Sequence, residues 1–282
     1  MEVGMQLAQD GLAYEEIRDM ALEAERAGLE SFWVFDHLNA SPKPDQQPLL
    51  ECWTLLSALA AETTHIRLGA LVLNVNNRNP ALVAKMATTL DQISRGRLEF
   101  GIGAGGTNRA QDQKELGYEY EFDAYDISFP MRPSIRMEKL DEGLEIMKRM
   151  WTQKRATFKG KHYSVRNAIC LPKTVQKPYP PIWIGGMTGP GIVKVVAKHA
   201  NGWNIMRSST VEHYRAGKKL LSIACAKIGR DPDQIKISMP VSGSLEECIE
   251  KLRQFALEGL DLAILRLPRS QEITFLRNLN WK

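Results

Sequence analysis

The amino-acid sequence predicts an α/β fold, a closed (β/α)8 barrel with insertions after its fourth strand and fourth helix. Short apolar runs alternate eight times with segments of helical periodicity, the pattern of parallel strands joined by crossover helices. No linker rich in Pro, Gly or Ser interrupts them, so residues 1–282 read as a single domain. Eight such units within 282 residues fit a closed barrel better than an open doubly wound sheet.

Taken in order, Val3 to Leu7 is strand one, followed by Ile17, Ala21 and Ala24 at helical spacing, with Glu15 and Glu16 near the start and Gly28 able to end the helix. Strand two is Ser31 to Phe35 and its helix Leu49 to Ala61. Strand three runs from Ile66 to Leu73. Asn79 and Pro80 open its helix, where Leu82, Met86, Leu90 and Ile93 share the expected inward face. Strand four, Leu98 to Ile102, leads through a long insertion to a helix burying Leu140, Leu144, Met147 and Trp151. Residues 155–165 read as a hairpin turning at Lys159, Gly160 and Lys161. The alternation resumes with Pro181 to Ile184 and a helix around Ile192 to Ala197, then with Trp203 to Met206 and a helix ending near Ile228. Strand seven, Ile235 to Met239, precedes a helix with a Ser244/Glu247 capping box and Leu245, Leu252 and Phe255 toward the core; strand eight is Leu262 to Leu267.

Composition narrows the functional classes. With 37 basic and 33 acidic residues and no run of five like charges, neither a nucleic-acid arm nor a membrane patch is written in the chain. No apolar stretch approaches the length of a membrane span, and no signal segment opens the sequence. Cys52, Cys170, Cys225 and Cys248 lack CxxC spacing, which points to a reducing cytoplasm. His65, His162, His199 and His213 show no metal-ligand spacing, so no metal is expected. The tryptophans lie within or beside the elements and read as core.

In a barrel the chemistry gathers where strands end. Strand two ends in Asp36 and His37, two groups suited to proton transfer or to hydrogen bonding a ligand ring. Being adjacent at a strand end, their side chains should diverge and do different jobs. We assign His37 to proton transfer and Asp36 to orientation through the loop backbone or a neighbouring donor. Strand four delivers Gly103, Ala104, Gly105, Gly106, Thr107 and Asn108, a loop where a flat or phosphorylated ligand can approach backbone. It enters a polar insertion instead of opening a helix, so it is no dinucleotide fingerprint. Strand five delivers Gly185, Gly186, Met187 and Thr188 just before a helix start, the arrangement of a phosphate site, or else of an ordinary glycine loop with Thr188 as cap.

These blocks together resemble the luciferase-like flavin and deazaflavin oxidoreductases, a barrel superfamily that includes bacterial luciferase, alkanesulfonate monooxygenase and methylene-tetrahydromethanopterin reductase. The resemblance runs nearly end to end. It is carried by Glu25 to Gly28 leading into Phe32 to His37, by Ile66 to Gly69, by Arg78 to Leu82, by Thr89 to Ser94 with Arg95 to Arg97, by Gly101 to Gly105, and by Pro181 to Gly186 before Asn201 to Asn204. It implies a flavin-type ring across the barrel mouth, with its phosphate near Gly185 to Thr188. The Asp36 and His37 pair resembles that of the deazaflavin branch, which implies coenzyme F420 (8-hydroxy-5-deazaflavin), with FMN as the alternative. In that branch a bulge with a non-proline cis peptide props the ring, by position Leu71 and Val72. Gly106 stands where some deazaflavin dehydrogenases carry a glutamate, and the passage from Met239 to Ser244 is shorter than in relatives. The implied activity is hydride transfer between the cofactor and a small organic substrate. The alternatives are an FMNH2-dependent monooxygenase and a non-catalytic flavin-binding protein. A homodimer is expected through the second and third helices, where Leu55, Leu56, Leu59, Val83 and Ala87 exceed one core stripe.

Overall fold

Strand pairing runs around a complete circle in the computed structural model, which describes residues 1–40, 46–106, 121, 125–130, 132–205 and 210–267. Along the chain come β1 (Glu2–Gln6), α1 (Tyr14–Arg26), β2 (Ser31–Val34), α2 (Cys52–Glu62), β3 (Arg67–Ala70), β4 (Leu73–Asn74) and α3 (Pro80–Ile93). They are followed by β5 (Leu98–Gly103), α4 (Pro133–Thr152), the hairpin strands β6 (Ala156–Lys159) and β7 (Ser164–Ala168), β8 (Ile182–Gly186) and α5 (Pro190–His199). Last are β9 (Gly202–Ile205), α6 (Val211–Ala226), β10 (Lys236–Val241), α7 (Leu245–Leu257) and β11 (Leu262–Leu265). In space the order is β3-β2-β1-β11-β10-β9-β8-β5-β4, and a β3–β5 pairing closes it. β3 and β4 share one position, so the protein is a closed barrel of eight parallel strands.

Local chemistry fixes most element ends. Asn79 accepts the Ala81 amide at 2.9 Å ahead of Pro80, and the Ser244/Glu247 capping box is formed as expected. Glu51 caps α2 by accepting from the amides of Trp53 and Thr54. Gly28 takes a φ of 72° just past α1, a conformation glycine adopts without steric cost. The turn of the hairpin spans Gly160 to Tyr163, with Lys159 still paired to Ser164.

Three sequence expectations are corrected. The inward face of α3 is Val83, Ala84, Ala87 and Leu90; Leu82 and Ile93 are 55% and 42% exposed, because the helix is rotated toward its small residues. Leu55, Leu56, Leu59, Val83 and Ala87 do not exceed one core stripe: all five are buried within the chain's own core. The third strand is not continuous from Ile66 to Leu73 but breaks at Leu71 and Val72, whose peptide bond is cis. Asn108 and Met206 lie outside the described residues, as does the side chain of Leu245. Among the described residues no helix is long and apolar enough to cross a membrane, and the four cysteines are buried as free thiols.

Two apolar clusters follow from this geometry. The larger lies between strands and helices and includes Leu140, Leu144, Met147 and Trp151, as the spacing predicts. The smaller fills the barrel and consists of Trp33, Leu71, Trp183, Leu262 and Ile264, with Val72 packed against it. Its two indoles meet edge to face, centroids 6.0 Å apart at 82°. They fit because glycines face them: a Cβ on Gly69 would stand 2.6 Å from Trp33 Cζ3, and one on Gly202 would strike the Trp183 ring. Beneath them Glu99 accepts from Trp183 Nε1 at 2.5 Å and pairs with Arg67. Burial pushes the Glu99 carboxyl above its usual pKa, with Arg67 opposing.

This interior sets a graded test. Gly101→Ala drives a methyl group into the Ala70 carbonyl oxygen and should cost about 3 kcal/mol. Gly28→Ala meets no atom within 4 Å and should cost about 1 kcal/mol, for its left-handed backbone alone. Urea unfolding separates the two; equal losses would mean that the barrel interior yields to the methyl group.

Candidate functional site

The carboxyl ends of the strands frame a cavity of about 610 Å³. Asp36, His37, Leu71, Val72, Gly103, Ala104, Gly105, Gly185, Gly186, Met187 and Thr188 all line it, so eleven residues singled out in the sequence meet at one place. The twelfth, Asn108, lies outside the described residues. Among the described residues no three His, Cys, Asp or Glu side chains converge as a metal-binding group.

The floor is the interruption between β3 and β4. Val72 projects against strands that have no side chains to oppose it: a Cβ on Gly103 would stand 2.8 Å from Val72 Cγ2, and one on Gly185 2.6 Å from Val72 Cγ1. These glycines therefore make room for Val72 as well as for a ligand, a packing role that the sequence did not disclose. Gly105 has a φ of 71°, and a Cβ there would strike the Asn74 side chain, so it too is required by backbone geometry.

Asp36 and His37 diverge. Asp36, with its side chain fully buried, accepts from the Asn74 amide at 3.0 Å and from Arg78 Nη1 at 2.8 Å through Oδ2. Its Oδ1 is buried without a hydrogen-bond partner among the described residues. Arg78 also donates to Glu51 at 2.7 Å, tying the α2 cap to the end of β2. His37 turns the other way: its Nδ1 lies 3.0 Å from Oε2 of Glu121, whose Oε1 accepts the Leu38 amide at 2.7 Å. Glu121 is only 2% exposed. A carboxylate accepts, so Nδ1 donates to Glu121 and fixes the plane of the ring. Phe35 packs edge-on to the imidazole at 5.1 Å.

The opposite wall is electropositive. The N-cap of α5 is Gly189, not Thr188, and it makes no side-chain cap, so the first amides of α5 reach the cavity at Gly191 and Ile192. The first turn of α4 joins it there, through Pro133, Arg136 and Met137. Arg136 is buried; it donates to the Pro130 carbonyl at 2.8 Å and lies 5.0 Å from the Phe129 ring centroid. Burial pushes its pKa below the ordinary arginine value. Two helix starts and a guanidinium at one end suit an anionic group.

Sequence reasoning missed Glu121 and Arg136. Both belong to the insertion region after the fourth strand and the start of its helix, where no local motif marks them. The only signal was an acidic stretch of the right chain position to supply a proton-handling group.

Residues 1–265 match the profile of the luciferase-like monooxygenase family. The F420-dependent glucose-6-phosphate dehydrogenase of Microbacterium testaceum is 28% identical over 269 residues, 91% of this chain and 73% of that protein. The one from Kineococcus radiotolerans is 29% identical over 205 residues, 72% of this chain and 56% of that protein, so this chain matches little more than half of its length. An F420-dependent secondary alcohol dehydrogenase in complex with an F420-acetone adduct superposes with a TM-score of 0.79 over 99% of this chain and 98% of that one, at 17% identity. The coenzyme F420 dependent tetrahydromethanopterin reductase from Methanopyrus kandleri gives the same TM-score over 98% and 96%, also at 17%. At such identities the superpositions speak to the fold, while the profile match spans nearly the whole chain: it belongs to the luciferase-like monooxygenase family.

Proposed function

We propose that the protein is a coenzyme F420-dependent oxidoreductase that moves a hydride between the deazaflavin and a small organic substrate. The observation that carries this reading is the opposition, within one cavity, of a histidine backed by a buried glutamate and a cationic end built by two helix starts and Arg136. The names of the dehydrogenase relatives support the deazaflavin over FMN. The residues present fit such a group: the cavity is floored by Val72, walled by glycine backbone and anion-binding at one end. Gly185, Gly186, Met187 and Thr188, with the amides of Gly191 and Ile192 and the Arg136 guanidinium, would hold its phosphate. Leu71, Val72, Gly103, Ala104 and Gly105 would bound its ring.

When bound, a deazaflavin supplies a two-electron hydride centre at its C5. The chain contributes orientation and protons. His37 exchanges a proton with the substrate oxygen or nitrogen, while Glu121 orients its ring through Nδ1. Asp36 holds the floor at its far end by accepting the Asn74 amide. The apolar Phe35, Leu73 and Met137 line the same space and limit water around the reacting centre.

Anaerobic titration with F420 and with FMN, followed by absorbance and fluorescence, tests the cofactor. Tighter binding of F420 is expected; preference for FMN with oxygen consumption would move the protein to the monooxygenase reading, and tight binding without turnover on carbonyl, imine and pterin substrates to a binding protein. Within the enzyme reading His37→Ala should lower single-turnover hydride transfer about 10²- to 10⁴-fold and leave cofactor affinity within a few-fold. Glu121→Gln should keep binding and lower the rate less, since it removes the charge but not the side chain. Parental rates in His37→Ala would sink the assignment.

The anion end yields a test with two opposite signs. Gly189 has a φ of −95° and nothing within 4 Å of a built Cβ, so Gly189→Asp is sterically free and gives α5 the side-chain cap it lacks. The fold should gain about 1 kcal/mol while phosphate-bearing ligands bind at least tenfold more weakly. Gly186→Asp is a poorer probe, because its Cβ would stand 2.7 Å from Ile192 Cγ1. Gain in stability with unchanged affinity would take the phosphate away from α5.

A further inference from the structure

The floor of the cavity is held by a residue that lies beyond its lining. Gln6, the last residue of β1, shares the barrel interior with Trp33, Leu71 and Ile264, and is 9% exposed. An amide in such a layer is costly unless it is hydrogen-bonded. Its Nε2 donates to the Leu71 carbonyl at 2.5 Å. That carbonyl falls between the end of β3 at Ala70 and the start of β4 at Leu73, where the ladder is interrupted. On the amide side Leu71 still donates to the Val34 carbonyl at 2.8 Å. One side chain from a strand two positions away in the barrel therefore supplies the partner that the ladder does not.

We propose that Gln6 is a positioning residue for the bound ring, its amide fixing the Leu71 carbonyl and so the height at which Val72 stands between Gly103 and Gly185. Leu71 and Val72 are consecutive and both line the cavity, so a shift of the Leu71 carbonyl rotates the peptide plane that carries Val72. Val72 cannot move freely on its own, because its two methyl groups pack against the neighbouring backbones of β5 at Gly103 and β8 at Gly185. Gln6 thus acts on the ring through the floor, without touching it. The proposal rests on the reading that a flavin-type ring lies on that floor.

Gln6→Met and Gln6→Leu keep apolar bulk at the position and remove the donor; Gln6→Lys keeps a donor. The measurements are dissociation constants for F420 and FMN, the visible absorbance shift of the bound ring, and the urea midpoint of each variant. Gln6→Met and Gln6→Leu should bind the ring about tenfold more weakly and with an altered absorbance shift, and Gln6→Lys should stay within about threefold of the parent with the parental shift. A merely structural Gln6 would change the urea midpoint and leave affinity and spectrum of the folded protein alone; that result overturns the proposal while the cofactor reading stands. Should the first two variants fail to fold, Gln6→Lys decides: loss of ring affinity or of the parental spectrum overturns it. A parent that binds neither ring overturns the cofactor reading, and this proposal with it.

Discussion

Val72 is wedged at the mouth of the barrel where two neighbouring strands carry no side chain, and much of the site is arranged around that contact. Closing eight parallel strands leaves an interior that side chains must fill. Lower in the barrel two indoles fill it, accommodated by Gly69, Gly101 and Gly202. At the top the filling is a backbone excursion: the chain leaves the ladder after Ala70, inserts Val72 between Gly103 and Gly185, and returns at Leu73. Glycines at these strand ends serve packing and ligand access together, because the absent Cβ atoms admit Val72 from one side and leave bare backbone on the other.

Polar contacts then hold what the wedge positions. Asp36 accepts the Asn74 amide just after the excursion, Arg78 pairs with Asp36 and with Glu51, and Glu51 caps α2. The chain of contacts joins β2, β4, the start of α3 and the start of α2. A buried carboxylate is tolerable only with such partners, and Arg78 supplies the charge. Asp36 is therefore committed to architecture through Oδ2, while Oδ1 is buried without a hydrogen-bond partner among the described residues. His37, one residue on, is released from that network and is oriented instead by Glu121.

The repeating units were legible because strand and helix periods differ and because caps mark the boundaries: Asn79 with Pro80 and Ser244 with Glu247 can be read from adjacent residues. The rotation of α3 was not legible, since Leu82 and Ile93 are more hydrophobic than Ala84 and Ala87, and only the close approach of α4 selects the small face. Among site residues, those at strand ends could be found because the barrel rule points to them. Glu121 and Arg136 could not, because each stands beside strand-end residues far from it in the chain, which no local spacing encodes. Gln6 was hidden for another reason. It looks like a surface-facing polar residue in an alternating strand, and its burial is known only once β1 has neighbours on both sides.

The distribution of charge over the cavity has a chemical consequence. Cationic character is concentrated where α4 and α5 begin, and the buried carboxylates, Asp36 and Glu121, stand at the end of β2 and beside it. Such a separation of charge orients a ligand that is anionic at one end, beyond what contact area alone does. Under the proposed function, an anionic tail directed to the helix starts would bring the uncharged part of the ligand over Val72 and toward His37. The Glu121 carboxylate stands behind His37 and orients its ring through Nδ1; under the proposed function this sets the proton-handling group at the end of the cavity away from the helix starts.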